Sequence, residues 1–532
     1  MKKHLILVSV IILLFLLFFP IRQYFLTKQI NKQAKKIFID IFQNETAIVP
    51  PFAMPKIAQP VFPDRTCAIT DYGAIADGKT KNTLAIGKAI SDCASLGGGK
   101  VLVPAGTWFT GPIHLESGIN LHLEKGAELI FSTDLADYLP VVFSRYEGIE
   151  NYSYSPLIYA KDSENIAVTG EGKLNGQGQN WTDLNDTRIT RSLYDMGEKN
   201  TPLKERIFGD RAHLLRPTFI EFINCSAILL QDFSIGSGPF WTIHPVYSSD
   251  IIVRNINVLT TGKNNDGIDL DSSKNILIEN SSFHTNDDAI VIKSGKGQDG
   301  LRVNRPTENV VIRHTAIENG HGAIAIGSEI AGGARNIFAY DVQSNGSQYG
   351  VRIKTLRNEI GLAENIWFQN ITITRTSFNA VQLTMLYDNT SVEENPGDLK
   401  THFPTIRNIH FTGLAGTNNK NSVDIEGLPN SKVSDVSFRN SALSGTYGSI
   451  VANAVNVTFD HFNGVIEKRE VFIVKDSENI SIGHALCRAT EGAICFSISG
   501  AKTKNIRLQD NDLFSSEGLI IEKDVPQDAV SY

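Results

Sequence analysis

The sequence predicts an all-β chain, a right-handed parallel β-helix with one N-terminal capping helix, preceded by a membrane-anchor or signal helix. Three observations lead there. A short apolar phrase introduced by Asn or another polar residue recurs about every 25 residues, the mark of a solenoid. Helical periodicity is confined to one segment of the part that follows the N-terminus. The 43 glycines against four Met and four Trp favour strands and turns over helical bundles.

At the N-terminus, "LILVSVIILLFLLFFPI" (5–21) carries no charge. It exceeds the about 7–15 residues of a signal-peptide core and falls just short of the ~20 of a full span. No small-x-small cleavage site follows, so an uncleaved signal anchor over 1–36 is expected, with a cleaved signal peptide as the alternative. Arg22, Lys28, Lys32, Lys35 and Lys36 outweigh Lys2 and Lys3, which by the positive-inside rule disfavours export. Export to the cell envelope, or release from it, is still expected from the kind of domain that follows. The basic flank offers either a contact to anionic headgroups or a plain solvated face.

Residues 37–64, with Pro50, Pro51, Pro55, Pro60 and Pro63, read as a linker, and 65–532 as one β-helix domain. "TKNTLAIGKAISDCASLGGG" reads as an amphipathic helix ended by glycines, suited to cover the open end of the solenoid. The strands "KVLVPAG", "GINLHLEKG" and "AELIFS" follow. From there the recurring phrase appears as "ENIAVTG", "SAILLQD", "SDIIVRN", "KNILIEN", "ENVVIRH", "RNIFAYD", "ENIWFQN", "RNIHFTG", "VNVTFDH", "ENISIGH" and "KNIRLQD". Coils of this length stack at the ordinary inter-strand spacing of about 4.8 Å. The recurrent Asn suits a left-handed corner and hydrogen bonding from coil to coil. A sandwich would need hairpin turns every 8–12 or so residues, and these are sparse.

A net charge of −7 gives no support to nucleic-acid binding. The five cysteines, Cys67, Cys93, Cys225, Cys487 and Cys495, have neither C-x-x-C nor zinc spacing. No disulfide framework is implied; Cys487 with Cys495 is the pair favoured if one forms.

In "NNDGIDLDSSKNILIENSSFHTNDDAIVIKSG", Asp266, Asp269, Asp271, Asp287 and Asp288 crowd together although like charges repel. Asp266 and Asp287 lie 21 residues apart, close to one coil, so they fall on adjacent rungs with Asp288 beside them. Strand alternation would send Asp287 and Asp288 to opposite faces, so the chain must bend there. "ENGHGAIAIGSE" sets His321 between glycines that allow close approach to a ligand. "YGVRIKT" puts Arg352 and Lys354 on one face with Ile353 inward. Carboxylates beside two cations suit an acidic sugar. Asp269 and Asp271 are read as turn or coil-stacking residues, and Trp241 as core.

"NNDGID", "NDDAIVIKSG", "GHGAIAIGSE" and "GVRIKT" resemble, in order, the four signature segments of the polygalacturonases, glycoside hydrolase family 28. The resemblance runs from about Thr66 past Tyr387. One departure is Asn265, where the family pattern has threonine. The resemblance implies inverting hydrolysis of α-1,4-galacturonosyl bonds, with Asp287 as general acid and Asp266 and Asp288 holding and deprotonating water. His321 would tune the acid, and Arg352 and Lys354 would clamp a galacturonate carboxylate on the leaving-group side. Tyr387 matches the family's substrate-contacting tyrosine, and His244 is expected to line the glycone side.

The partner is therefore polygalacturonate or pectin oligosaccharide. The protein is expected to be a monomer without cofactor or metal, held to the membrane by its N-terminal helix. The alternatives are a calcium-dependent pectate lyase, a non-catalytic carbohydrate-binding solenoid, or the same chemistry on a related pectic substrate. The segment 181–216 reads as an insertion walling off one end of the groove, which favours exo action. The stretch "GKGQDGLRVNRPTE" is expected to form a loop over the cleft.

Overall fold

Three short strands make up each coil. One coil contributes Ile243–Val246, Ser249–Arg254 and Asn257–Leu259. These pair in parallel with Ile268–Asp271, Lys274–Glu279 and Ser282–Thr285 of the next. The structure, a computed structural model, describes residues 48–532 except 182–185, 358, 388–402, 490–493 and 514–516. Within these, the parallel β-helix expected from the repeat runs from Thr66 to Ser531.

The recurring phrase is the register of the solenoid. Ile166, Ile228, Ile251, Ile276, Val310, Ile337, Ile366 and Ile409 stand directly opposite one another on successive rungs. The column continues through Val436, Val457, Ile480 and Ile506. Every member is buried. The Val436 rung, in "SDVSFRN", adds a member of the same form as "SDIIVRN" that the sequence reading did not include. The residue before each column member, from Asn165 to Asn505, has φ between 51° and 59°, a conformation that Asn and Asp tolerate best among residues with a Cβ. Their amides form a ladder: Asn309 donates to Asn275 at 3.1 Å, Asn336 to Asn309 at 3.1 Å, and Asn479 to Asn456 at 3.0 Å. Asn therefore satisfies two demands at one corner, the left-handed turn and the bond to the coil below.

The helix expected at the open end is α1, Thr83–Ser95, which buries Ile86, Ala89, Ile90 and Cys93 on one stripe against the first coil. Residues 48–64 contain no helix or strand. They are not a free linker throughout, because the Phe52 ring rests 5.9 Å from that of Trp367 on the solenoid. Residues 5–21, where the anchor is expected, lie outside the described residues. Among the described residues no helix is long and apolar enough to cross a membrane. All five cysteines are buried; Cys487 and Cys495, the pair favoured for a disulfide, are in contact as thiols and are not bonded to each other.

Two excursions leave the coils. The insertion at 181–216 supplies α2, Thr187–Glu198, and the expected cleft loop is instead a short helix, α3, Gly297–Val303. Both pack on an antiparallel hairpin, Val142–Tyr146 with Ile149–Ser153. Tyr146, Ile149, Leu193, Phe208, Leu215, Phe240 and Trp241 form a separate small core there. The buried Asp299 of α3 accepts from Arg206 of the insertion at 2.7 Å and from the Glu150 N–H of the hairpin at 3.0 Å. Gly148 at the hairpin tip meets the Lys296 backbone, and a Cβ there would lie 2.8 Å from the Lys296 nitrogen. One carboxylate and one glycine thus fasten three segments far apart in sequence.

Inside the solenoid, Phe368, Phe411, Phe438 and Phe459 stack face to face on successive rungs with centroids 4.5–4.9 Å apart. Replacing Phe438 by Ala is expected to cost about 3–5 kcal/mol, the usual range for a buried aromatic. It should be read as a lower midpoint in chemical denaturation. Phe438→Leu should lose clearly less; equal loss would mean that ring stacking adds nothing to volume.

Candidate active site

The strands Ile268–Asp271, Ile290–Lys293, Gly322–Ile326 and Tyr349–Lys354 lie side by side in one sheet. Their inward positions are Ile, Leu or Val, and the outward ones include Asp269, Asp271, Lys293, Arg352 and Lys354, with Val291 and Ala325 between Asp269 and Arg352. The turns that enter them carry the remaining candidates. Gly267 N–H donates to the Asp288 carbonyl at 3.0 Å, His321 N–H to the Asp287 carbonyl at 3.1 Å, and Tyr349 N–H to the His321 carbonyl at 2.8 Å. Asp266, the Asp287–Asp288 pair, His321 and Tyr349 therefore occupy successive rungs at one corner. The bend demanded for the paired aspartates is present at residues 286–287. It is held by Thr285 Oγ1 donating to the Asp287 carbonyl at 2.7 Å and by Asp288 N–H donating to Asp287 Oδ1 at 2.9 Å.

The side chains converge. Lys354 Nζ donates to Asp288 Oδ2 at 2.8 Å. His321 Nδ1 lies 3.7 Å from Asp287 Oδ1 and 3.8 Å from Asp288 Oδ1, and its Nε2 lies 3.2 Å from Arg352. Tyr387 presents its ring to both cations, 4.8 Å from Lys354 Nζ and 5.0 Å from the Arg352 guanidinium. The Asp287 side chain is 29% exposed, that of Asp288 2%. Asp288 Oδ1 has no hydrogen-bond partner among the described residues. Gly322 leaves room for it, since a Cβ there would lie 2.7 Å from that oxygen. Asn265 is a gain over a hydroxyl residue: its side chain accepts from Gly262 N–H at 2.6 Å and donates to the Gly238 and Phe240 carbonyls. It thereby staples the turn of Asp266 to the coil before.

His244 is not where it was expected. It has no exposed surface and lies between Glu221, 3.2 Å from Nδ1, and Asp271, 3.4 Å from Nε2. Burial opposes its charge, but those two carboxylates outweigh burial and push its pKa up to about 9. Arg145 of the hairpin closes this network on Asp271 at 2.8 Å. His244 thus lies within the wall of the site, its ring closed off from the surface by these carboxylates and by Trp241. Trp241 is core, as expected, with Lys293 Nζ 4.6 Å above its ring.

Sequence reasoning missed Lys293, Glu329 and Glu147. Lys293 pairs with Glu329 at 2.7 Å and lies 3.8 Å from Asp269. Its signal was available, because alternation in "IVIK" places it outward. Glu147, at the hairpin tip with φ 44°, had no signal, since no periodic phrase covers the hairpin. Burial and Glu329 push its carboxyl up to about 7 against the pull of Lys296 and Lys293.

The carboxyls at the centre are driven apart. Burial, then the charges of Asp269 and Asp287, hold Asp266 well above the usual carboxylate range. Burial also works to raise Asp287, but the His321 imidazole and the Lys354 ammonium outweigh it and leave Asp287 below its ordinary value. The two carboxyls are thus shifted in opposite directions, Asp266 toward its protonated form and Asp287 toward its charge.

Asp269 is raised by burial from 3.8 to about 8, in spite of Lys293 and His244. The unfolded chain then releases this proton first, so the raised carboxyl stabilises the fold fully below 3.8, and that contribution is lost as pH climbs to about 8. Asp269→Asn is expected to remove that component. Denaturation midpoints of the variant should fall less than those of the parent across the window, and parallel curves would contradict the shift.

The chain matches the model of the glycosyl hydrolases family 28 over residues 93–463. It is 30% identical over 387 residues to a probable polygalacturonase of Vitis vinifera, covering 70% of this chain and 73% of that one. It is 26% identical to an exo-poly-alpha-D-galacturonosidase of Dickeya chrysanthemi, covering 74% and 70%. The crystal structure of an exopolygalacturonase from Thermotoga maritima superposes with a TM-score of 0.67 at 34% identity, over 84% of this chain and 96% of that one. With the family model spanning all four signature segments and the coils that carry them, the chain belongs to the glycosyl hydrolases of family 28.

Proposed function

We propose that the protein is an exo-acting polygalacturonase that hydrolyses the terminal α-1,4-galacturonosyl bond of polygalacturonate or its oligomers, with inversion. The observation that carries this reading is the meeting of Asp266, Asp287 and Asp288 with Lys354 and Arg352 from rungs downstream. Asp287, the accessible member of its pair, protonates the glycosidic oxygen. Asp266 and the unpartnered Oδ1 of Asp288 hold the attacking water and take its proton. Arg352 and Lys354 bind the carboxylate of the sugar on the leaving-group side, and Tyr387 covers both cations from above.

The opposite shifts of Asp266 and Asp287 fit this scheme once substrate is bound. A substrate carboxylate set against Arg352 and Lys354 offsets the cations that depress Asp287, and closing the site removes water from it. Both changes raise Asp287. The proton then moves to the acid, and Asp266 is left ionised as the base.

Exo action is supported by an asymmetry along one outward column. Upstream, Glu221 and His244 are fully buried beneath the hairpin and the insertion; downstream, Arg352, Gln382 and Asp424 lead to Ile450, which is 37% exposed. Tyr194 of α2 touches Lys296, which reaches Glu329 beside Lys293. The groove is thus stopped just upstream of Asp266 and open downstream. A calcium-dependent elimination is disfavoured by the donor set. Asp287, Asp288 and His321 are close enough to share a cation, but calcium takes 6–8 oxygen ligands, and here a histidine nitrogen and the Lys354 ammonium take up the space. A polymeric substrate is met outside the cytoplasm, in keeping with the export expected of residues 1–36.

Asp287→Asn is expected to lower turnover on polygalacturonate by about 10²–10⁴-fold with little change in binding, because Asn keeps the shape and cannot deliver a proton. Arg352→Ala should chiefly weaken binding. Near-normal turnover in Asp287→Asn, with unsaturated products and loss of activity on chelation, would establish the lyase instead.

In a time course on the polymer, free galacturonate should appear first, as the β-anomer by proton NMR, while viscosity falls slowly. Early mixed oligomers with rapid viscosity loss would show an endo enzyme and a passable wall.

A further inference from the structure

Three coils of the solenoid beyond the acids carry a cavity that the reaction does not use. It has a volume of about 260 Å³ and is lined by Asn421, Asp424, Tyr447, Ile450, Arg469 and Ile473, among others. We propose that it binds a further galacturonate unit of the leaving chain, beyond the sugar held by Arg352 and Lys354. This rests on the orientation argued above, with the leaving chain running toward the C-terminal coils.

The cavity continues the active site in register. Arg352, Gln382, Asp424, Ile450 and Ile473 stand opposite one another on five consecutive rungs. At about 4.8 Å per rung, the cavity lies roughly 10–19 Å downstream of Arg352. The rungs are also bonded: Arg352 Nε donates to Gln382 Oε1 at 2.8 Å, and Gln382 Nε2 to Asp424 Oδ2 at 2.9 Å. Asn379 donates to the same Asp424 oxygen at 2.9 Å. The wall of the cavity is thereby tied to the cation that grips substrate.

Its lining holds one cation, Arg469, for a sugar carboxylate, beside Glu470 and an Asp424 whose Oδ2 is already engaged by Asn379 and Gln382. Ile450 offers an exposed apolar patch in mid-groove for the C–H face of a pyranose. A row of rings leads there from the site: Tyr349 lies under Arg352 at 3.8 Å and stacks on Phe378 at 5.3 Å, and Phe378 is 41% exposed. Two exposed cations flank the path, Lys420 at 4.9 Å from the Phe378 ring and Arg469 at 5.8 Å from that of Tyr447. Among the described residues neither forms an ion pair with a carboxylate. Arg469 lines the cavity itself, where a carboxylate repeated along the polymer would meet it. Glu470, also on the rim, serves as an acceptor for sugar hydroxyls.

The test compares full-length parent and Arg469→Gln on digalacturonate through hexagalacturonate. Arg469 is exposed and, among the described residues, makes only a long contact to the Tyr447 ring, so the variant is expected to keep its fold. The rate constant kcat/KM for the longest oligomers should fall about tenfold, the loss of one charge-assisted hydrogen bond, while that for digalacturonate stays unchanged. Calorimetry with hexagalacturonate should show the same weakening. If both proteins cleave digalacturonate alike and the advantage of long over short chains is also the same in both, the inference is overturned and the exo reading stands. If neither cleaves any oligomer but the variant binds hexagalacturonate about tenfold more weakly, the cavity is upheld and the catalytic reading falls.

Discussion

Strict register between coils is the constraint on which the rest of this protein depends. Because each rung sits one strand spacing from the next, residues about one turn apart in sequence become neighbours in space. The same rule builds the apolar column from Ile166 to Ile506, the asparagine ladder and the phenylalanine stack. It also brings Asp266 beside Asp288 and carries Arg352 and Lys354 to them from coils downstream. A slip of one residue in any of these strands would turn its outward charges into the core.

Such stacking makes a surface rich in like charges, and the protein manages it by distributing cations among them. Lys354 takes Asp288, Lys293 takes Glu329 and stands near Asp269, and Arg145 with a protonated His244 holds Asp271. Less well compensated are Asp266 and Asp269, both raised first by burial, and one oxygen of Asp288. Catalysis requires a group that binds a proton and a group that lacks a partner, and both occur where the neutralising network stops. On the proposed function, a substrate carboxylate would join these electrostatics by competing for Lys354, which with His321 lowers Asp287.

The groove owes its direction to elements that are not part of the coil. Upstream, the hairpin, the insertion and α3 are clamped through Asp299 and share a small core, and they bury the outward face of the sheet. Downstream, that face emerges lined with aromatic rings and cations. One repetitive scaffold therefore yields a closed end and an open end, and the difference lies in what is laid over it.

The sequence by itself determined the solenoid, its register and the acidic cluster. These follow from alternation and from a repeated phrase, signals carried by neighbouring residues and read without knowing the third dimension. Arg352 and Lys354 were legible for the same reason, with Ile353 inward between them. Only the tertiary structure decided the fate of His244. Its rung was inferable, but the hairpin that buries it comes from about a hundred residues earlier and has no periodic phrase. Glu147, Arg145 and Asp299 were invisible on the same ground, since their partners are fixed by packing between segments that share no repeat. The order of proton affinities was likewise beyond the sequence. Asp266 and Asp287 are the same residue type on adjacent rungs, and only the burial of one and the imidazole and ammonium beside the other set them apart.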